Sequence, residues 1–415
     1  MTCREICDYD VSFKRAKCWE RNLNTVPSSE GCEESIMLDL QRNHISNFPA
    51  ESMEGYSNVK TLDLSDNDIT EVNPGTFSNM NMLRNILLNG NYLHELKNAT
   101  FAGTENTLAR IYLNENKIAK LFNGVFSGLE ALVVLHLNYN KIQSLTSTIF
   151  HGLIELKFLQ LGMNKLCNLN AVTFKNLTKL KSISLHDNKL TSIPNGLFQG
   201  LHSLREVRLS NNAIVAIPSP EHLGIISIQS LYLDNNFTHS SSIKPYLHVT
   251  QERLDISHNP FTCDCAFQFI QEWCFNNSEE NFVGDPVICI LNNIRYNITD
   301  PMPFTCETPQ ATLLSTDPMA DLLSETTTQT RDSTTRYHFN TDNMISASKC
   351  NLKKCPCNQE CSCKNTNEKV EWIAVYCAIC LTIFLVGQML FNTYFIYYLR
   401  QKSYRVTEVA SAREE

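Results

Sequence analysis

The stretch VKTLDLSDNDI (Val59–Ile69) decides the fold, because its pattern L-x-x-L-x-L-x-x-N-x-L, with Val59 in the first apolar place, does not occur once. It returns as LARIYLNENKI (Leu108–Ile118), LVVLHLNYNKI (Leu132–Ile142) and LKSISLHDNKL (Leu180–Leu190). The asparagines mark the period: Asn43, Asn67, Asn91, Asn116, Asn140, Asn164, Asn188, Asn212, Asn236 and Asn259 are separated by 24, 24, 25, 24, 24, 24, 24, 24 and 23 residues. One such unit, a short strand and a return segment, cannot bury its apolar face alone, so units stack into one continuous core. Strand alternation turns Leu62 and Leu64 inward and Asp63 outward. The asparagine turns the chain after the strand, where its side chain both donates and accepts hydrogen bonds for buried backbone groups. A second apolar anchor recurs in the return segment as Phe77, Phe101, Phe126, Phe150, Phe174 and Phe198, which are core filler. The predicted fold class is an α/β repeat solenoid with ten repeats over residues 35–260.

Working outward, the cysteines fall in groups around this body. Of 17, Cys3, Cys7, Cys18 and Cys32 precede it, while Cys263, Cys265, Cys274, Cys289 and Cys306 follow it, with Cys167 alone between. Cysteine groups bracketing a nearly cysteine-free body predict disulfide-stapled ends and an oxidising compartment. Sequons agree at Asn98, Asn176, Asn276 and Asn297. A fifth, at Asn236, coincides with a ladder asparagine, so it is expected to be buried and unmodified. The sequence starts at Met1-Thr2-Cys3 with no signal peptide visible, which points to a trimmed leader or a truncated gene model. The net charge of −8 disfavours nucleic acid as a partner.

The repeat resembles the leucine-rich-repeat family in its extracellular form of about 24 residues per turn. That resemblance covers roughly residues 1–306 and implies a curved right-handed solenoid with a parallel sheet on its concave face. Residues 1–34, with Cys3-x3-Cys7 and Cys18-x4-Leu23-x2-Val26-Pro27, resemble the family's N-terminal cap, although Tyr9 stands where that cap carries the second cysteine of a C-x-C pair. The resemblance implies Cys7–Cys18 and leaves Cys3 for Cys32. Residues 261–306, opening on Asn259-Pro260-Phe261-Thr262-Cys263-Asp264-Cys265 and including Trp273, resemble the C-terminal cap, which implies Cys263–Cys289 and Cys265–Cys306. Cys274 is surplus to that pattern.

Beyond Cys306 the composition changes. Residues 307–349 are Thr- and Ser-rich and poor in large apolar side chains, which predicts an extended stalk suited to O-glycosylation. Residues 350–371 hold Cys350, Cys355, Cys357, Cys361 and Cys363, for which disulfides, including an interchain bond between two copies, are favoured over zinc. Residues 372–399 are apolar and uncharged over a length that exceeds the roughly 20 residues needed to cross a bilayer as a helix, with Trp372 and Tyr394, Tyr397 and Tyr398 at its ends. Cys377, Gln388 and Asn392 share one side of that helix, either to pack on a second helix or because Gln388 and Asn392 sit near the inner interface. Residues 400–415 form a short tail, inside the cell if the cysteine caps are outside, and too short for a signalling domain.

The candidate ligand surface is the outward side of the strands, which includes Asn85, Leu87, Tyr112, Val134, His136, Phe158, Gln160, Met163, Ser184, His186, Arg208 and Tyr232. Aromatic residues beside an arginine on a strand face resemble an interface core. Binding through the convex side, the rim or the C-terminal cap is the alternative. His136 and His186 stand two repeats apart without a nucleophile or metal spacing, and no nucleotide motif occurs, so the sequence points to no enzyme, cofactor or metal. The resulting expectation is a single-pass type I plasma-membrane receptor that binds a protein or a microbial glycan or lipid. This anatomy resembles variable lymphocyte receptors and Toll-like receptor ectodomains, which implies immune recognition; an adhesion or matrix protein, or a decoy or co-receptor, is the alternative.

Overall fold

The chain divides into two compact units, Met1–Leu323 and Ser324–Glu415. The computed structural model describes residues 1–46, 48–276, 287–302 and 306, all in the first unit. The expected stalk, juxtamembrane cysteines, membrane span and tail lie outside the described residues. Among those residues no helix is long and apolar enough to cross a membrane.

The body is one sheet of twelve strands. It starts at the N-terminal cap with Asp8–Asp10 antiparallel to Arg15–Lys17. From there every neighbour is parallel: Met37–Asp39, Thr61–Asp63, Asn85–Leu87, Arg110–Tyr112, Val134–His136, Phe158–Gln160, Ser182–Ser184, Glu206–Arg208, Ile228–Tyr232 and Thr250–Asp255. The central residue of each three-residue strand points inward, as the alternation requires. Leu38, Leu62, Ile86, Ile111, Leu135, Leu159, Ile183 and Val207 are all fully buried, and so are Leu231 and Leu254 in the two longer strands.

Each asparagine closes its turn with the same bonds. Asn140 donates through Nδ2 to the carbonyls of Leu113, Leu137 and Asn138 at 2.9, 3.1 and 3.3 Å, and its Oδ1 accepts from the Ile118 amide at 3.0 Å. The residue before each asparagine is left-handed. Arg42, Asp66, Glu115, Tyr139, Met163, Asp187, Asn211, Asn235 and His258 hold φ between +51° and +57°, and only Gly90 in this column is a glycine. A non-glycine residue there costs on the order of 1 kcal/mol, so the asparagine bonds must outweigh it in nearly every turn. Met163 therefore belongs to a turn and not to a strand, which corrects its expected placement.

On the return side the phenylalanines form a spine. Phe77, Phe101, Phe126, Phe150, Phe174 and Phe198 stack ring on ring with successive centroids 6.0, 6.1, 6.3, 6.0 and 6.4 Å apart. Phe48 extends the spine toward the N-terminal cap at 6.1 Å, tilted by 47°. The spine ends at Phe198, where the next return segment forms the short helix Pro220–Leu223, closed by Gly224 at φ +89°.

Both ends are covered. The N-terminal cap holds disulfides Cys3–Cys32 and Cys7–Cys18. At the other end, Phe261–Thr262 pairs with Ile288–Leu291, which pairs with Ile294–Asn297, beside the helix Cys265–Asn276. Disulfides Cys263–Cys289 and Cys265–Cys306 tie these pieces together. Gln271 donates to the carbonyls of Ile298 and Asp300, at 2.6 and 2.7 Å, which fastens the helix to the last described loop. The three sulfurs of Cys3, Cys7 and Cys18 lie within 4.8 Å of one another, but each is in a disulfide and none is a thiolate able to hold a metal.

Candidate binding surface

Residues one and three of each strand point away from the core, so the parallel register sets them in two columns. One column runs Thr61, Asn85, Arg110, Val134, Phe158, Ser182, Glu206, Ser230, and the other runs Asp63, Leu87, Tyr112, His136, Gln160, Ser184, Arg208, Tyr232. Ten of the twelve expected ligand residues stand in these columns. Met163 and His186 stand beyond the strand ends, in the turns.

Two clusters organise the surface. Tyr112 and His136, neighbours in register, meet edge to face with ring centroids 4.9 Å apart. Burial lowers the pKa of His136 from its ordinary value, so its imidazole is neutral at physiological pH and offers one donor and one acceptor. Further along, the Arg208 guanidinium lies 4.8 Å from the centre of the Tyr232 ring, and its Nε donates to Glu206 Oε1 at 2.6 Å. Glu206 also accepts from Ser182 Oγ at 3.1 Å. These bonds hold Arg208 in one orientation, and a fixed arginine on an aromatic face loses little freedom when a ligand docks. Phe158, exposed over 40% of its surface, stands at the edge of an open depression of 470 Å³ that Lys181, Arg205, Glu206, Tyr232 and Arg253 also line.

His186 occupies space that Gly162 leaves open. A Cβ on Gly162 would lie 2.4 Å from His186 Nε2, so any side chain there would push the ring out of this position. Its Nδ1 pairs with Asp187 Oδ2 at 2.7 Å, and the same carboxylate accepts from Asn211 at 3.2 Å. Ser184 departs from expectation. It is fully buried although its position faces outward, because a small side chain between Gln160 and Arg208 in register lies beneath both. It therefore offers a ligand no surface, and its hydroxyl has no partner.

Lys181, Ser182, Arg205, Glu206 and Arg253 also face the depression and were absent from the expected set. Glu206 and Ser182 were available from the same alternation, as first residues of their strands. Lys181 and Arg205 precede strands, where no alternation rule assigns a side. The sequon asparagines separate as the repeat requires: Asn98, Asn176, Asn276 and Asn297 are exposed, whereas Asn236 is 3% exposed with Nδ2 bonded to the carbonyls of Leu209, Leu233 and Asp234. Cys274 is a half-buried free thiol whose pKa burial pushes up to about 12, so it is an inert one.

A stacked parallel sheet, an asparagine ladder, a phenylalanine spine and disulfide caps define a class, the disulfide-capped repeat solenoid. The family described as Leucine rich repeat matches residues 37–93, 106–166, 154–214 and 179–237, so this body is a leucine-rich-repeat array. Its solenoid is similar in fold to the Drosophila Toll receptor in the Toll–Spatzle complex, at 21% identity and a TM-score of 0.54 over 60% of this chain and 38% of that one. It is similar in fold also to mouse RP105/MD-1, at 22% identity and a TM-score of 0.52 over 60% of this chain and 42% of that one. A chain in the octameric complex of Latrophilin 3, Unc5D and FLRT2 (LRR) is 26% identical with a TM-score of 0.52, over 68% of this chain and 92% of that one. In sequence, Leucine-rich repeat-containing G-protein coupled receptor 5 of Xenopus tropicalis is 29% identical over 89 residues, 21% of this chain and 10% of the receptor. The chain thus spans well under two thirds of that receptor and of the Toll chain.

Proposed function

We propose that this chain is a cell-surface recognition receptor that binds a protein ligand on the outward side of its sheet, between Asn85 and Tyr232, and performs no catalysis. The observation that carries the reading is the prepared surface of Phe158, Arg208 and Tyr232. An arginine held over a tyrosine by Glu206, beside a half-exposed phenylalanine, is the composition of an interface hot spot. The disulfide caps and the exposed sequons support an extracellular setting, and the apolar run 372–399 supports a single membrane span. Toll forms a complex with Spatzle, a hub in development and innate immunity, and RP105 forms one with MD-1, which supports a protein ligand and a role in immune recognition. A second reading, assembly with other surface proteins in adhesion, is favoured by the chain of the FLRT2 complex, which aligns over 92% of its length. Dimerisation through the juxtamembrane cysteines is compatible with either.

The test displays the full chain on cells and screens secreted and surface proteins alongside microbial glycans and lipids. A protein ligand is expected, with Arg208→Ala and Tyr232→Ala each weakening its binding by about 2 kcal/mol, roughly thirtyfold. A ligand bound equally well by both variants places the interface elsewhere. A microbial glycan or lipid as the sole ligand overturns the protein-ligand reading.

A further inference from the structure

The residue after each ladder asparagine forms its own column along one edge of the solenoid. That column reads His44, Asp68, Tyr92, Lys117, Lys141, Lys165, Lys189, Ala213, Phe237, so four consecutive repeats carry lysine at one place. Backbone bonds hold them in register: the amides of Lys117, Lys141, Lys165 and Lys189 donate to the carbonyls of Leu93, Ile118, Ile142 and Leu166 at 2.9, 2.9, 2.9 and 2.7 Å. Neighbouring repeats in a parallel sheet lie about 4.8 Å apart, so the four lysines span roughly 15 Å in a line.

No carboxylate of a described residue pairs directly with any of the four, although eight other lysine or arginine ion pairs occur among those residues. The turn column beside them holds Glu115, Tyr139, Met163 and Asp187. The two carboxylates of that column, Glu115 and Asp187, stand at the ends of the row and are hydrogen-bonded to Asn114 and to His186 and Asn211, while the two central lysines have Tyr139 and Met163 beside them. Lys117 lies 4.0 Å above the Tyr92 ring at one end of the row, and Lys141, Lys165 and Lys189 are exposed. On a chain of net charge −8, four aligned like charges are a local feature that repel one another until an anion covers them.

We propose that this lysine edge binds a linear sulfated polysaccharide laid along the solenoid, at a site separate from the sheet face. A sulfated glycan carries fixed negative charges at regular intervals along an extended chain, which matches a row one residue wide. Single-stranded nucleic acid calls for a run of stacking rings along the groove, and among the described residues the row has Tyr92 and Tyr139 beside it, two repeats apart and not a continuous run. An anionic membrane calls for a broad basic patch and not a single file. The disulfide caps also put the surface in an oxidising compartment, where sulfated glycans are the abundant polyanion.

The test measures binding of the full chain to immobilised heparin at about 0.15 M ionic strength. Full retention on heparin and loss on its desulfated form are expected. Lys141→Gln, Lys165→Gln and Lys189→Gln together should weaken binding on the order of tenfold and flatten its salt dependence, and the three Lys→Arg substitutions should preserve it. A charge-matched set on the other sheet edge, Lys60→Gln, Arg84→Gln and Lys157→Gln, should change binding by less than about twofold. The proposal is overturned if the chain is not retained on heparin, if the first set binds as the wild type does, if the second set loses as much, or if phosphatidylserine vesicles or single-stranded DNA compete as well as free heparin.

Discussion

Asn140 and Asp63 show how differently two buried polar side chains behave at the scale of one residue. Asn140 has both amide hydrogens and its carbonyl engaged by backbone groups, so its burial leaves nothing unpaired. Asp63 is 8% exposed, and its Oδ1 accepts from the Ser65 amide at 3.0 Å and the Ser65 hydroxyl at 2.6 Å. Desolvation raises its pKa above 3.8, the Ser65 bonds oppose that only in part, and the neighbouring Asp39 and Asp66 add to the rise. A folded pKa above the unfolded one means that the folded chain holds the proton longer. The contribution is therefore favourable at low pH and is lost as pH rises from 3.8 through the folded value. Asp63→Asn keeps an acceptor for Ser65 and removes the titration. Thermal unfolding from acid pH to neutrality should show the wild type losing ground to this variant over that window, and parallel curves would contradict the assignment.

The element most sensitive to perturbation is the phenylalanine spine, because each interior ring packs against two neighbours. Phe126 stacks on Phe101 at 6.1 Å and on Phe150 at 6.3 Å and has no exposed surface. Phe126→Ala should cost about 3–5 kcal/mol, while Phe126→Leu, which keeps most of the volume, should cost less than about 2 kcal/mol. Urea denaturation measures both, and equal losses would mean that ring stacking outweighs volume. The spine, the ladder and the inward strand residues were legible because each recurs with the period that stacking imposes. What escaped is set by neighbours and not by period. Ser184 is buried because Gln160 and Arg208 flank it, and His186 lies where it does because Gly162 has no side chain. The end of the spine at Phe198 likewise follows from Pro220 opening a short helix, with Gly224 closing it in a left-handed turn where a Cβ would meet the Gln199 backbone at 2.6 Å.

For the solenoid as a whole, the ends decide the stability of the middle. Interior repeats are covered on both sides by equivalent neighbours, so their stability is roughly a sum of identical interfaces. The first and last repeat strands, Met37–Asp39 and Thr250–Asp255, have no further repeat beyond them, and the caps shield Leu38 and Leu254 from water. At the C-terminal end the shield is the helix Cys265–Asn276 with Phe261 against Phe267 at 5.8 Å, held by Cys263–Cys289 and Cys265–Cys306. The cysteine pairs of that cap are those its resemblance to the family's C-terminal cap implies, whereas its packing was not legible, since non-repeating contacts carry no period. Cys263→Ser with Cys289→Ser should cost about 2–5 kcal/mol at that end. Because repeats couple only to their neighbours, the loss should decay inward. Hydrogen exchange should then speed most in Thr250–Asp255, less in Ile228–Tyr232, and hardly at all in Val134–His136. Uniform loss along all the strands would show that the array unfolds as one cooperative block and that the cap stabilises the whole solenoid at once.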